Sequence, residues 1–153
     1  SRARPVIVVL GHEAARVRAA LAGRDLRFVE APDYAEGLAG SLRAGLAAVP
    51  AEAEGALVAL GDMPLVGPGL LDRMLDAFDP EEGRAVVRPT HAGRPGNPVL
   101  WAREFLPELR ALTGDEGGRQ VIARHLDRVA EVEAGSDAVL RDFDTPEALA
   151  ELA

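Results

Sequence analysis

Two continuous apolar runs constrain the fold of this chain most strongly. Residues 5–10 read PVIVVL and residues 55–60 read GALVAL, and neither run alternates apolar with polar residues. Such continuous apolar runs are typical of strands that are covered on both faces, and the first run is also rich in β-branched residues. Apolar residues at helical spacing follow each run, so the sequence predicts a parallel sheet built from strand–helix–strand units.

The first half of the chain is predicted to alternate strands and helices, and the second half to depart from that pattern. Strands are predicted over residues 5–10, 26–31 and 55–60, and helices over residues 13–22, 37–49 and 70–78. The Gly/Pro-rich segment HAGRPG then predicts a β-hairpin of residues 84–90 and 97–101. Beyond the hairpin we expect helices over residues 104–112 and 116–126, strands over residues 128–133 and 139–143, and a last helix that Thr145 caps.

Composition limits the kinds of chemistry that the chain can perform. With 153 residues, 48% of them hydrophobic, it is long enough for a single domain over residues 1–153. A net charge of −8 argues against nucleic acid and anionic membranes as partners. The absence of cysteine excludes disulfides and thiolate chemistry, and the cytoplasm is the default location. No apolar run approaches the roughly 20 residues of a membrane-spanning helix.

Asp62 directly follows the second apolar run, in the segment ALVALGDMPLV. In an open α/β sheet, ligands bind beyond the carboxyl ends of the strands, where this carboxylate should lie. Magnesium commonly takes one or two protein carboxylates and completes its coordination with water and substrate phosphates. Two interpretations stay open: Asp62 holds a metal at the sheet edge, or it accepts backbone hydrogen bonds in the turn before Pro64.

Asp142 and Asp144 lie on either side of Phe143 in the segment DFDTPEAL. Residues two apart in a strand face the same side, so both carboxylates are predicted to point at one place. Two carboxylates are costly to bring together unless a cation or hydrogen bonds neutralise them. The segment is therefore a second candidate for metal binding, whereas the residues after Asp144 are explained by helix initiation alone.

Three further segments have both a structural and a binding interpretation. The segment EGLAGSLRAG opens a helix with three glycines and a serine, which suits either close packing on the sheet or contact with a base edge or an anion. The segment GRPGNPV is first of all a turn, yet it holds Asn97, the only asparagine in the chain. The segment LTGDEGGRQ is first of all the end of one helix and the start of another, with Asp115 as the cap.

Taken together, these segments resemble the MobA-like nucleotidyltransferases, in particular the branch of molybdenum-cofactor cytidylyltransferases. The matching segments span nearly the whole chain: PVIVVLGHEAARVRAAL, EGLAGSLRAGL, LVALGDMPLV, GRPGNPVLW, LRALTGDEGGRQVI and DFDTPEAL. The resemblance implies an α/β fold, Rossmann-like, with three αβα layers, a mostly parallel mixed sheet and a β-hairpin insertion. It also implies transfer of a nucleotidyl group, CMP from CTP rather than GMP from GTP, to the phosphate of a molybdopterin-type acceptor, with release of pyrophosphate.

The same resemblance implies roles for individual residues. One group is implied to be catalytic and to bind Mg²⁺: Asp62 and Asp144, with Asp142 close by as a further metal ligand. A second group is implied to bind the nucleotide base or to lie on the acceptor side: Gly37, Gly40 and Ser41 for the base, and Asn97 and Asp115 for the acceptor.

One departure from the family pattern is large. The family opens with a glycine-rich phosphate loop of the form LAAGxSxRMGxxK, whereas no segment here matches it and all 17 basic residues are arginine. We therefore expect that the family's N-terminal strand and phosphate loop are missing from the chain, and that the chain as given is inactive. The alternative is a non-catalytic relative that binds a nucleotide or a pterin. A phosphoacceptor receiver domain is disfavoured, because the chain has neither lysine nor an acidic pair after its first strand.

Overall fold

The computed structural model describes residues 1–152, and this part of the chain has the mixed α/β class that the sequence predicts. The strands are β1 Ile7–Leu10, β2 Arg27–Glu30, β3 Gly55–Val58, β4 Val86–His91, β5 Arg94–Pro95, β6 Val99–Ala102 and β7 Val129–Glu133. The α-helices are α1 Ala14–Ala20, α2 Leu38–Ala47, α3 Pro68–Ala77, α4 Leu106–Arg110, α5 Gly118–Arg124 and α6 Pro146–Ala150. Over the described residues, every helix is too short or too polar to cross a membrane.

The strands pair in two sheets. Strands β1 and β2 form a parallel pair in which Ile7 lies opposite Arg27 and Leu10 opposite Glu30. In the five-stranded sheet, β4 pairs with β7 in parallel and with β5 and β6 in antiparallel orientation, and β3 lies beside β6. The predicted hairpin is thus confirmed as the source of the antiparallel pairs in a mixed sheet.

Contacts along the chain divide it into two compact units, which are described separately. The large-sheet unit comprises residues 1–3, residues 57–101 and the chain from residue 127 onward, and it carries most of the five-stranded sheet. The small-sheet unit comprises residues 4–56 and 102–126, with β1, β2, α2, α4 and α5.

Helix α3 forms the core of the large-sheet unit with the sheet on which it packs. Pro68 occupies the first turn of this helix, where its missing N–H costs nothing. The buried core cluster consists of Leu70, Met74, Val87, Leu100 and Val139. Burying side chains of this size stabilises the unit by about 1.5–3 kcal/mol each, so α3 and the strands on which it packs form the stable part of this unit.

Two arginines fasten α2 to the region of α4 in the small-sheet unit. Arg43 donates from Nη2 to the carbonyl of Leu112 (3.1 Å), and Arg110 donates from Nη2 to the carbonyl of Leu46 (2.6 Å). Arg43 also forms an ion pair with Asp33 (3.2 Å). These guanidinium groups therefore hold the helix that begins with the candidate base-binding residues.

The prediction of a strand over residues 139–143 is wrong. The structure instead has a 3₁₀ helix over Asp137–Leu140, followed by chain without strand pairing. The reason is that its backbone groups pair with loops: Asn97 donates its N–H to the carbonyl of Val139 (3.0 Å), and Phe143 donates to the carbonyl of Asp62 (2.8 Å). Alternation along a strand is therefore not what brings Asp142 and Asp144 together.

Candidate functional site

Three aspartates converge in the large-sheet unit. Asp62 lies in the turn that follows β3, and Asp142 and Asp144 lie just before α6. One carboxylate oxygen from each residue lies within 4.8 Å of the other two. The backbone hydrogen bond from Phe143 to Asp62 joins the two segments. The structure thus assembles the three residues that the sequence proposed as metal ligands, and we call them the aspartate cluster.

Within residues 1–152, no arginine or histidine forms an ion pair with the aspartate cluster. The negative charge of Asp142 raises the pKa of Asp144 above its ordinary value, and partial burial and the proximity of Asp62 raise it further. Oδ1 of Asp62 is shielded from solvent and has no hydrogen-bond partner among residues 1–152. The turn interpretation of Asp62 therefore lacks support at this oxygen, whereas carboxylate oxygens in this arrangement suit a hard divalent cation such as Mg²⁺ or Mn²⁺.

The hairpin residue Asn97 is anchored to the segment that leads into the aspartate cluster. Its N–H donates to Val139, and Gly96 packs so closely on Val139 that a Cβ there would overlap the Val139 carbonyl oxygen. Asp142 is the third residue after Val139, so the segment links the hairpin to the cluster over a span of at most roughly 11 Å. The motifs GRPGNPV, GDMP and DFDTP are therefore parts of one structural assembly.

Sequence reasoning missed an apolar cavity of about 190 Å³ in the large-sheet unit. Its lining residues flank Asp62 and Asn97 in sequence: Ala59, Leu60, Met63, Val66, Leu71 and Pro98. In the sequence these residues read only as core and turn positions. One signal in the sequence could have suggested an apolar wall near the cluster. Leu60 and Met63 flank Gly61-Asp62, and a proline follows Asn97.

Gly37 and Asp115 lie against each other in the small-sheet unit. Gly37 precedes α2 with a φ of 121°, and a Cβ on it would lie 2.5 Å from the Gly114 carbonyl oxygen and 2.7 Å from Oδ1 of Asp115. Ala39 donates its N–H to the same Gly114 carbonyl (3.0 Å). Position 37 thus requires glycine for its positive φ and for the close approach of Gly114. One N–H at the start of α2, that of Ala39, is already bound within the protein.

Gly40 and Ser41 lie in the first turns of α2. A Cβ on Gly40 would approach the carbonyl oxygen of Asp33 to 2.9 Å, so this glycine permits close packing of the helix. Ser41 is half-buried. The structure therefore gives Gly40 a packing role, and the assignment of Ser41 to a nucleotide base stays a prediction.

Asp115 is not the cap of α5, contrary to the sequence-based interpretation. The N-cap is Gly117, whose N–H donates to Oε1 of Gln120 (3.2 Å). The Gln120 side chain accepts from the N-cap N–H of Gly117, glycine offers no side chain to cap the helix in return, and the Asp115 carboxylate lies beside Gly37. Asp115 therefore belongs with the candidate base-binding residues, whereas Asn97 belongs to the large-sheet unit.

Comparisons with known proteins agree with this architecture. Residues 1–129 match the family described as MobA-like NTP transferase domain. The search of curated proteins gives no significant match. Among solved structures, Rv0371c from Mycobacterium tuberculosis H37Rv is 33% identical with a TM-score of 0.75, and the match covers 95% of this chain and 74% of that chain.

Two further structures extend the comparison. The manganese complex of Rv0371c is 32% identical with a TM-score of 0.74, covering 95% of this chain and 76% of that chain. A nucleotidyl transferase from Methanothermobacter thermautotroptrophicus is 26% identical with a TM-score of 0.78, and the match covers 95% of this chain and 70% of that chain. The chain therefore belongs to the family of MobA-like NTP transferase domains.

Proposed function

We propose that the chain is a single nucleotidyltransferase domain that transfers CMP from CTP to the phosphate of a molybdopterin-type acceptor, releasing pyrophosphate. The observation that carries the proposal is the aspartate cluster, with its three carboxylate oxygens within 4.8 Å of one another. Family membership supports transfer of a nucleotidyl group. The choice of CTP and of the acceptor is supported by the sequence resemblance alone.

The aspartate cluster is proposed to hold Mg²⁺. Asp62 and Asp144 are the principal ligands and Asp142 is the third, because their mutual repulsion would be relieved by a divalent cation. A bound cation would supply charge neutralisation at the reacting phosphate. The manganese complex of Rv0371c supports a divalent cation in this family. The protein's own part is to hold the three carboxylates in place through α3, the sheet and the Phe143 hydrogen bond.

The remaining site residues are proposed to bind the organic parts of the two substrates. Gly37, Gly40 and Ser41 are assigned to the nucleotide base, and Asp115 joins them because its carboxylate lies beside Gly37. Asn97 is assigned to the acceptor, since the hairpin connects through Val139 to the aspartate cluster.

Transfer is proposed to require a phosphate loop that these 153 residues do not contain. A triphosphate brings several negative charges to a protein whose net charge is already −8, and a single divalent cation offsets only part of them. The chain has no lysine, and Arg43, in the middle of α2, is already held by Asp33 and Leu112. Because preorganised charge is usually the largest catalytic term, we expect the chain alone to be inactive.

The test is magnesium-dependent pyrophosphate release with CTP or GTP and a molybdopterin acceptor. It compares the 153-residue chain, a longer version that carries the family's phosphate loop, and that longer version with Asp62→Asn. We expect release only from the longer version, faster with CTP, and at least about 100-fold slower after Asp62→Asn. Asp127→Asn is the matched control, because Asp127 is an exposed acid outside the aspartate cluster.

The alternative function is a non-catalytic protein that binds a nucleotide or a pterin. It predicts saturable nucleotide binding to the longer version without pyrophosphate release under any combination of metal and acceptor. That outcome would remove the transferase proposal while leaving the family assignment intact.

A further inference from the structure

The turn between β4 and β5 sets two basic residues opposite each other. Ala92 and Gly93 form the turn with φ values of 50° and 75°, and His91 pairs with Arg94 across it. Residues directly opposite on an antiparallel pair have Cβ atoms about 4.5–5.5 Å apart and side chains on the same face. The side chains of His91 and Arg94 therefore start from neighbouring positions at the tip of the hairpin.

The side chain of Arg94 has no ion pair or hydrogen bond within residues 1–152, and the residue is exposed. Most arginines of the chain are engaged by carboxylates or carbonyls, as Arg88 is by Glu131 at 2.6 Å. An arginine that is fixed in register on a hairpin but has no partner leaves its whole donor set available to a ligand.

Glu133 lies beside one ring nitrogen of His91, Nδ1. Nδ1 is shielded from solvent and lies 3.4 Å from Oε1 of Glu133, which is an ion-pair distance without hydrogen-bond geometry. The carboxylate itself is engaged, since Oε1 accepts from the N–H of Gly135 (3.2 Å) and Oε2 accepts from Oγ1 of Thr90 (3.4 Å). With the side chain 34% exposed and Nδ1 turned inward, Nε2 is the ring nitrogen that a ligand can reach.

We propose that His91 and Arg94 form a subsite for a phosphate monoester group of the acceptor. The imidazole would donate from Nε2–H, and the planar guanidinium group would bind two oxygens of the same phosphate. In a protein of net charge −8, an anionic ligand needs such a local pair of cations. Assigning the subsite to the acceptor rests on the proposed function, since Asn97 lies three residues further along the same hairpin.

The test is an NMR titration of the 153-residue chain with methyl phosphate at about pH 6, where histidines can carry charge. The readout is the imidazole Cε1–H signal of His91, assigned with His91→Asn. His125 is the internal control, because it also pairs with a carboxylate, Glu108 at 2.8 Å, and its side chain is also 34% exposed. We expect a saturable shift of the His91 signal at constant ionic strength and no saturable shift of the His125 signal.

Two variants separate the subsite from general attraction of anions. Arg94→Gln is expected to weaken methyl phosphate binding about tenfold, the loss of one charge-assisted contact, whereas Arg24→Gln, an exposed arginine outside the hairpin, leaves it unchanged. Equal responses of His91 and His125, an unchanged affinity in Arg94→Gln, or a response to inorganic phosphate but not to methyl phosphate would each overturn the proposal.

A kinetic measurement then tests the assignment to the acceptor. In a version that is active in nucleotidyl transfer, Arg94→Gln should raise the KM for the phosphorylated acceptor about tenfold and leave the KM for the nucleotide unchanged. An unchanged acceptor KM contradicts the assignment. The NMR titration contains neither nucleotide nor metal, so its result is independent of whether the proposed transfer activity is found.

Discussion

Replacing Gly96 with alanine should dislodge the segment that carries the aspartate cluster. An added Cβ would lie 2.8 Å from the carbonyl carbon of Val139 and 2.9 Å from its Cβ, and closer still to its carbonyl oxygen, whereas ordinary contacts begin at 3.4 Å. Neither side can yield freely, because Gly96 donates its N–H to Pro89 (2.9 Å) and Asn97 donates to Val139 (3.0 Å). The backbone must therefore move by more than half an ångström.

The magnitude follows from two terms. Overpacking of this kind costs about 1–3 kcal/mol, and loss of the hydrogen bond from Asn97 to Val139 adds about 1 kcal/mol. A domain of this size loses about 2–4 °C of Tm per kcal/mol, so Gly96→Ala should lower Tm by roughly 4–16 °C. The same displacement should weaken divalent-metal binding by the aspartate cluster, since Asp142 lies three residues beyond Val139.

Thermal unfolding followed by circular dichroism measures the effect, with Gly69→Ala as the control. Gly69 lies in α3 with nothing within 4 Å of an added Cβ, so alanine there should raise stability by about 0.5–1 kcal/mol. If Gly96→Ala unfolds within about 2 °C of the unchanged chain, the close contact with Val139 does not exist as described and the linkage between hairpin and cluster is wrong.

Three further predictions follow from single contacts. Gly37→Ala should destabilise the small-sheet unit by about 2–4 kcal/mol in a denaturant titration, because the new Cβ meets the Gly114 carbonyl oxygen at 2.5 Å and φ is 121°. Ala92→Gly should raise stability slightly in the same assay, by up to about 1 kcal/mol, because alanine occupies a left-handed φ of 50°. Asp142→Asn should raise Tm at neutral pH in the absence of metal. The pKa of Asp144 in the folded chain is raised mainly by the charge of Asp142. The folded state therefore loses stability as pH rises from the ordinary value of 3.8 through that raised pKa, and removing the charge of Asp142 should restore it. The gain should therefore disappear when Tm is measured below pH 3.8.

The sequence predicted best those elements whose signal is local and repeated. The apolar runs that became β1 and β3, and the Gly/Pro turn of the hairpin, are each specified by a few adjacent residues. The segment of residues 139–143 reads VLRDF and was predicted to be a strand, yet it forms the end of a 3₁₀ helix and an unpaired stretch. Its backbone forms hydrogen bonds with Asn97 and Asp62, which lie far away in sequence. The spacing of apolar residues along the segment carries no information about such distant partners.

In the candidate site, too, the sequence predicted features with a local signal and missed those that depend on residues distant in sequence. Asp62 and Asp144 could be singled out because an acid beside an apolar strand or in a tight acidic segment is unusual. The position of Asp115 beside Gly37 could not be foreseen, because the helix begins two residues later, at the N-cap Gly117, and because Gly37 is far away in sequence. Nor could the sequence reveal the pairing of His91 with Glu133, since it depends on the register of β4 against β7.

Titration of Mn²⁺ into the 153-residue chain, followed by the electron paramagnetic resonance signal of the free ion, tests the central claim most directly. The aspartate cluster predicts one saturable site per chain, lost in Asp62→Asn and in Asp144→Asn and kept in Asp127→Asn. A site of unchanged affinity in Asp62→Asn, or the absence of saturable binding at millimolar Mn²⁺, would contradict the proposal that these three carboxylates hold the metal.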